Sequence, residues 1–123
     1  MSLVMPKPEE DILRNRGVLI DRLRQILPED SVIDSETEMK AYECDALTMY
    51  RQLPLVVALP ETVDQVSRIM ALANEMNVKV VPRGAGTSLS GGSLPLGDGI
   101  LLGMGKFNRV LESDYENRCA RVQ

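Results

Sequence analysis

The residues best placed to do chemistry are Pro82, Arg83, Gly84, Ala85, Gly86, Thr87, Ser88, Leu89, Ser90, Gly91 and Gly92. Four glycines and three hydroxyl residues crowd into the ten positions 83–92, directly after the apolar run 78–81. Glycine reaches positive φ without steric cost, so backbone N–H groups can turn toward one point and a ligand can approach closely. Successive N–H groups aimed inward make a nest for an anion, and Ser and Thr add hydroxyl donors. A loop of this kind after a strand suits a phosphate group. The same residues also suit a turn that only reverses the chain.

Two common phosphate loops do not fit. In the dinucleotide pattern G-x-G-x-x-G, Gly84 and Gly86 match, but Leu89 stands at the third glycine. The following Gly91-Gly92-Ser93-Leu94-Pro95 opposes the helix that this pattern must open. In the P-loop pattern, Gly86 and Gly91 match, but Gly92 stands where lysine is required, and a reactive terminal phosphate would lack its main cation. What remains is a seat for a diphosphate that is held and does not react, the need of a flavin dinucleotide whose chemistry occurs at a distant ring.

The elements that must position this loop follow from hydrophobic spacing. The run Leu55-Val56-Val57-Ala58-Leu59 predicts a strand, broken by Pro60. Thr62 and Gln65 form a capping-box pattern. Val63, Val66, Ile69, Met70, Ala73 and Met76 then recur at helical spacing as one buried stripe, with Asn77 as the stop. Residues 78–81 predict a second buried strand, so strand, helix and strand should form a parallel unit with a right-handed crossover. The glycine loop then leaves the carboxyl end of a parallel strand, where open α/β sheets bind ligands.

Upstream, residues 9–27 have helical spacing weakened by Gly17 and ended by Pro28. Ser35 and Glu38 form another capping-box pattern before a short helix. Downstream, Ile100-Leu101-Leu102 predicts a third strand, and residues 108–112 and 118–122 a hairpin. The hairpin leaves an open sheet edge, which predicts self-association. Residues 1–3 read as a cloning remnant.

Composition narrows the class. Of 123 residues, 44% are hydrophobic, enough for a core, and the net charge is −4. An acidic chain with 3% aromatic residues lacks the basic face and stacking platforms of a nucleic-acid binder. With no His, the commonest general base and metal ligand are missing, and no metal site is expected. Two sequence-isolated cysteines, Cys44 and Cys119, without a secretion signal, point to a reducing cytoplasm. The basic residues near the loop are Lys79, Arg83 and Lys106.

The segment 80–92 resembles the diphosphate loop of the FAD-linked oxidases of the vanillyl-alcohol-oxidase and p-cresol-methylhydroxylase type, and 56–63 resembles that family's opening strand and helix. Residues 42–47 and 103–109 resemble one branch, the flavin subunits of bacterial glycolate oxidases, close to D-lactate dehydrogenases. The resemblance implies an α/β fold with a small, partly parallel βαβ sheet: a helical lead-in over 1–53, then the first subdomain of an FAD-binding domain over 54–123.

It further implies oxidation of a 2-hydroxy acid by hydride transfer to FAD. Gly84, Ala85, Gly86, Thr87 and Ser88, with Ser90 and Gly91, would hold the diphosphate. Pro82 would stiffen the loop entry, and Arg83 would brace the loop or approach the phosphates. Thr87 stands where some relatives carry an FAD-linked His, so the cofactor should be noncovalent. Family members are far longer, so no catalytic residue can be assigned here. This stretch alone should be inactive and hold FAD weakly. The implied partners are the rest of the flavin subunit, an iron–sulfur subunit and a second flavin-type subunit, with any membrane association through them. The alternative is a free-standing phosphate-binding or self-associating module without catalysis.

Overall fold

The computed structural model describes residues 4–123; residues 1–3, the supposed remnant, lie outside it. In chain order the elements are α1 (Glu10–Arg14), α2 (Arg16–Arg24), β1 (Val32–Ile33), α3 (Glu36–Met39), β2 (Val56–Ala58), α4 (Val63–Glu75), β3 (Lys79–Arg83), β4 (Gly99–Gly103), β5 (Val110–Asp114) and β6 (Cys119–Val122). Short 3-10 turns cover Glu29–Ser31 and Lys40–Tyr42.

Four strands form one sheet in the order β1-β2-β4-β3, antiparallel between β1 and β2 and parallel elsewhere. The strands flanking α4 are therefore parallel but not neighbours. β4 lies between them, with Val57 and Val81 both in register with Leu101. This corrects the expectation of a buried second strand: β3 is a half-exposed edge, whereas every residue of β4 is buried. The reason is in the residues. Pro82 has no N–H for a second neighbour, which confines it to an edge, and Lys79 and Arg83 need water or partners. Ile100-Leu101-Leu102, bounded by glycines, needs neither.

Alternation along the strands divides the core. Val56, Ala58, Ile100 and Leu102 pack with Leu19, Ile20 and Leu23 of α2, Leu27, and Ile69, Leu72 and Ala73 of α4. On the other face Val57 and Leu101 pack with Met39, and Tyr42, Leu53 and Val81 close around them. A parallel sheet must be covered on both faces, and the lead-in supplies much of that cover.

The helices depart from expectation in three places. The segment 9–27 is two helices joined at Asn15, whose side-chain amide donates to the Asp11 carbonyl at 3.0 Å. Beside this break, Arg16 reaches away to the carbonyls of Leu55 (2.9 Å) and Asp34 (2.6 Å). Ser35 precedes α3 but makes no side-chain cap. On α4, Val63 and Met70 are 77% and 46% exposed, while Leu72 joins the buried stripe. Steps of about 100° per residue swing Val63 and Met70 to the flank of the arc centred on Ile69.

Other local readings hold. Thr62 and Gln65 form the full capping box, with Gln65 N–H on Thr62 Oγ1 at 3.2 Å and Thr62 N–H on Gln65 Oε1 at 3.3 Å. Asn77 ends the helical region at φ 55°, the left-handed stop. β5 and β6 form the expected antiparallel hairpin, with a register shift between Val110 and Glu112. It stands as a separate sheet, and Val110, Leu111 and Val122 are 63%, 52% and 60% exposed.

Candidate functional site

β3 delivers the chain to the carboxyl edge of the sheet, and the glycine loop begins where the strand stops. Pro82 and Arg83 belong to the strand rather than the loop, in register with Leu102 and Gly103. The Met104 N–H donates to the Arg83 carbonyl at 2.8 Å, which anchors the strand end. Residues 84–92 then run over the surface, and Ser93 returns to the interior.

Two glycines are fixed by backbone conformation. Gly86 has φ 72° and Gly91 φ 76°, values that L side chains rarely adopt. At Gly86 a Cβ would also lie 2.5 Å from Arg83 Nη2, whereas at Gly91 the nearest atom is Leu47 Cδ2 at an ordinary 3.7 Å. Gly84 differs: its φ is ordinary, and a Cβ there would meet nothing within 4 Å. Among the described residues nothing requires glycine at 84.

The side chains of the loop divide by role. Ser88 Oγ accepts the N–H groups of Ser90 (3.3 Å) and Gly92 (3.0 Å), so this hydroxyl shapes the loop from within. Thr87 and Ser90 are exposed. Among the described residues, the backbone N–H groups of Ala85, Gly86, Thr87, Ser88 and Leu89 have no acceptor. They form a run of unpaired donors along the surface loop.

The underside is closed. Arg83 turns back beneath the loop, where Nη1 faces the carbonyls of Cys44 (2.8 Å), Tyr42 (3.4 Å) and Ser93 (3.5 Å). Its guanidinium also stands 5.9 Å from the centre of the Tyr42 ring, within cation–π range. The Ala46 N–H donates to the Gly86 carbonyl at 3.0 Å. Residues 42–47 are thus a floor for the loop, a role that composition and periodicity gave no sign of. Within that floor Asp45 is 5% exposed; its Oδ1 accepts the Leu47 N–H at 2.9 Å, and its Oδ2 has no partner among the described residues. Ser93 Oγ is buried in the same condition. The one local signal for this turn was Asp45 two residues before Leu47, the spacing of an Asx turn.

None of the three cations expected near the loop points at its outer face. Lys79, at the other end of β3, holds Asp98 Oδ2 (2.6 Å) and Glu9 Oε1 (3.0 Å). Burial pushes the Asp98 carboxyl up, but hydrogen bonds from Lys79 and the Glu9 N–H outweigh it and hold the pKa below the ordinary value. The Lys79 ammonium is raised by its hydrogen bonds to Asp98 and Glu9. Lys106 Nζ donates to Ser31 Oγ and Glu61 Oε1, each at 2.7 Å. An anion over the loop therefore meets backbone donors. The residues present fit a diphosphate: the N–H groups of 85–89 have no acceptor among the described residues, the Arg83 guanidinium lies against Gly86, and a Cβ at Gly84 would meet nothing within 4 Å.

Comparison with known proteins identifies the family. The family described as "FAD binding domain" matches residues 54–123. The glycolate oxidase subunit GlcD of Escherichia coli is 43% identical over 109 residues, covering 89% of this chain and 22% of that protein. GlcD of Bacillus subtilis is 37% identical over 103 residues, covering 84% of this chain and 22% of that one. The chain thus spans about a fifth of the length of these curated relatives. Among solved structures, 4-ethylphenol oxidase from Gulosibacter chungangensis superposes with a TM-score of 0.73 at 22% identity, over 92% of this chain and 22% of that one. p-Cresol methylhydroxylase gives 0.67 at 16% identity, over 91% and 22%. These structural likenesses establish the α/β fold, with its partly parallel sheet and covering helices, as that of such flavoproteins.

Proposed function

This chain belongs to the FAD binding domain family, its cofactor is FAD, and on that premise we propose that its glycine loop seats the FAD diphosphate in an oxidoreductase acting on a 2-hydroxy acid. The relatives named as glycolate oxidase subunits and as a D-lactate dehydrogenase support that substrate class. The observation that carries the reading is the run of open N–H donors at 85–89, beside cations that are all engaged elsewhere.

In this reading the backbone of residues 84–88 wraps the diphosphate, and Thr87 and Ser90 add hydroxyl donors at the rim. Ser88 keeps the loop in shape. Gly84 and Gly91 let the phosphates come close to the backbone. Pro82 fixes the direction in which the strand ends, and Arg83 braces from below. The chemistry FAD supplies is acceptance of a hydride from the carbon bearing the substrate hydroxyl. Neither a proton acceptor nor a substrate anchor is assigned to this chain, so residues 54–123 act as a cofactor-binding first subdomain behind the lead-in 1–53. By itself the stretch holds FAD weakly and does not turn over substrate. Its partners are the remainder of the flavin subunit and, by the word "subunit" in the relatives' names, further chains of a redox assembly in the cytoplasm. Among the described residues, no helix is long and apolar enough to cross a membrane.

The test uses the full-length protein that carries this chain. It should purify with FAD that acid precipitation releases, and glycolate or D-lactate should bleach the flavin's visible absorption in the absence of air. A protein without flavin, or one whose flavin no 2-hydroxy acid reduces, overturns the reading. A second reading, self-association, is favoured by the exposed Val110, Leu111 and Val122 on a hairpin with free edges. A strict monomer at high concentration in sedimentation would remove it.

A further inference from the structure

We infer that Asp45 is a positioning residue for the cofactor loop: through the turn that its side chain closes over 45–47, it ties the loop at both of its left-handed glycines, Gly86 and Gly91. The inference rests on the cofactor reading given above.

Three observations carry it. First, the turn is closed by the Asp45 side chain. Its Oδ1 accepts the Leu47 N–H at 2.9 Å, the bond by which an aspartate imitates a backbone turn. Residues 43–55 belong to no helix or strand, so no ladder fixes the turn in its place. Second, the two residues that follow Asp45 meet the loop at its two special positions. The Ala46 N–H donates to the Gly86 carbonyl at 3.0 Å. Leu47 Cδ2 lies 3.7 Å from where a Cβ on Gly91 would stand. Gly86 and Gly91 have φ 72° and 76°, and these two conformations set the direction of the loop. Between them lie the unpaired N–H groups of Thr87, Ser88 and Leu89. Third, the carboxylate is poorly satisfied where it stands. Asp45 is 5% exposed, and Oδ2 has no partner among the described residues. A buried acceptor in that condition costs free energy, and such departures from polar satisfaction concentrate at functional sites. What offsets the cost here is the placement that Oδ1 gives to Ala46 and Leu47.

The consequence is order before binding. A loop tied at both glycines presents its donors without being arranged by the ligand. A loop released from the turn must be ordered as the cofactor binds, and affinity falls by that cost. Asp45 acts through the turn alone, so a side chain that keeps the Oδ1 bond keeps the effect.

The experiment measures FAD affinity of the full-length protein by flavin fluorescence, for wild type, Asp45→Ala, Asp45→Asn and Leu47→Ala. Alanine removes the cap, and Asp45→Ala should bind FAD about tenfold more weakly. Asparagine keeps an oxygen for the Leu47 N–H, and Asp45→Asn should stay within about twofold of wild type. Trypsin cleavage without added FAD gives a local readout. Asp45→Ala should be cut after Arg83, at the root of the loop, faster than wild type. Cleavage after the exposed Arg118, between β5 and β6, should be unchanged. A variant that is only less stable opens at both places. Wild-type affinity in Asp45→Ala overturns the inference and leaves the cofactor reading intact. Asp45→Asn as weak as Asp45→Ala, or equal acceleration of both cuts, does the same. Should Asp45→Ala not fold, Leu47→Ala decides: weaker FAD binding is expected, and wild-type affinity overturns the inference. A wild-type protein that binds no flavin removes the cofactor reading, and this inference with it.

Discussion

The two ends of β3 are built on opposite plans. At the amino end, Lys79 is saturated by Asp98 and Glu9, and Asp98 also takes the Glu9 N–H at 3.1 Å. That cluster ties the start of the lead-in to the sheet and pairs the Lys79 charge with two carboxylates. At the carboxyl end, the same strand opens into a loop whose outer N–H groups are unspent while its underside is stitched to residues 42–47. Backbone donors left open at a surface cost little, because water satisfies them. Donors held in a fixed array by a floor bonded to the loop are something more. They can take an anion without first being ordered, and that ordering is a large part of what binding costs. A filled end is therefore a clamp, and an open end over a filled floor is a seat.

The sharpest way to break the contrast is to disturb the floor through the loop itself. Gly86→Ala places a Cβ at φ 72° and 2.5 Å from Arg83 Nη2. Arg83 can move aside, but only by leaving the carbonyls of Tyr42, Cys44 and Ser93. The expected outcome is a loss of about 1–3 kcal/mol of stability from backbone strain and lost contacts, with FAD binding abolished. Thermal unfolding and flavin content read the two parts. Gly84→Ala sharpens the comparison by touching only the open side. An added methyl there meets nothing within 4 Å, so stability should stay within about 0.5 kcal/mol of wild type, yet FAD affinity should fall by roughly tenfold through lost close approach. If Gly84→Ala binds FAD normally, the diphosphate does not approach at 84 and the seat lies further along the loop.

What could be read from sequence divides along the same line. The open side was legible because its requirements are local: glycine for positive φ at 86 and 91, hydroxyls at 87, 88 and 90, and a strand before them. The α4 cap was legible for the same reason, since Thr62 and Gln65 satisfy each other within one turn. The identical spacing at Ser35 and Glu38 stands before α3 yet makes no side-chain cap. Strand order was less accessible. Which of two apolar strands lies in the middle is decided by what each must expose, and here the clue was Pro82, read as loop stiffening rather than as the mark of an edge. The floor was least legible. Cys44 and Arg83 are 39 positions apart in the chain, and neither spacing nor composition brings them together; only the fold does.

The smallest effect tests the filled end alone. The Asp98 carboxyl sits below its ordinary value of 3.8 in the folded chain, against the upward push of burial, because Lys79 and the Glu9 N–H bond it. A group whose folded pKa is depressed adds stability above the unfolded value and gives it up as pH falls through the folded one. The Lys79 ammonium sits above 10.5, so its share is complete below that pH and is lost as pH rises through the higher folded value. The clamp is therefore whole between about pH 4 and pH 10 and weakens outside on both sides. Lys79 is half exposed, so solvent screening keeps the change small. Thermal unfolding of the chain across pH should show a plateau with a fall at each end, and Lys79→Met should erase the alkaline fall and flatten the acid one. FAD affinity measured within the plateau should not change in Lys79→Met, because the clamp and the seat share a strand but no contact. A variant that loses both stability and cofactor would mean that the two ends of β3 are coupled and that the lead-in's anchorage at Glu9 reaches the loop.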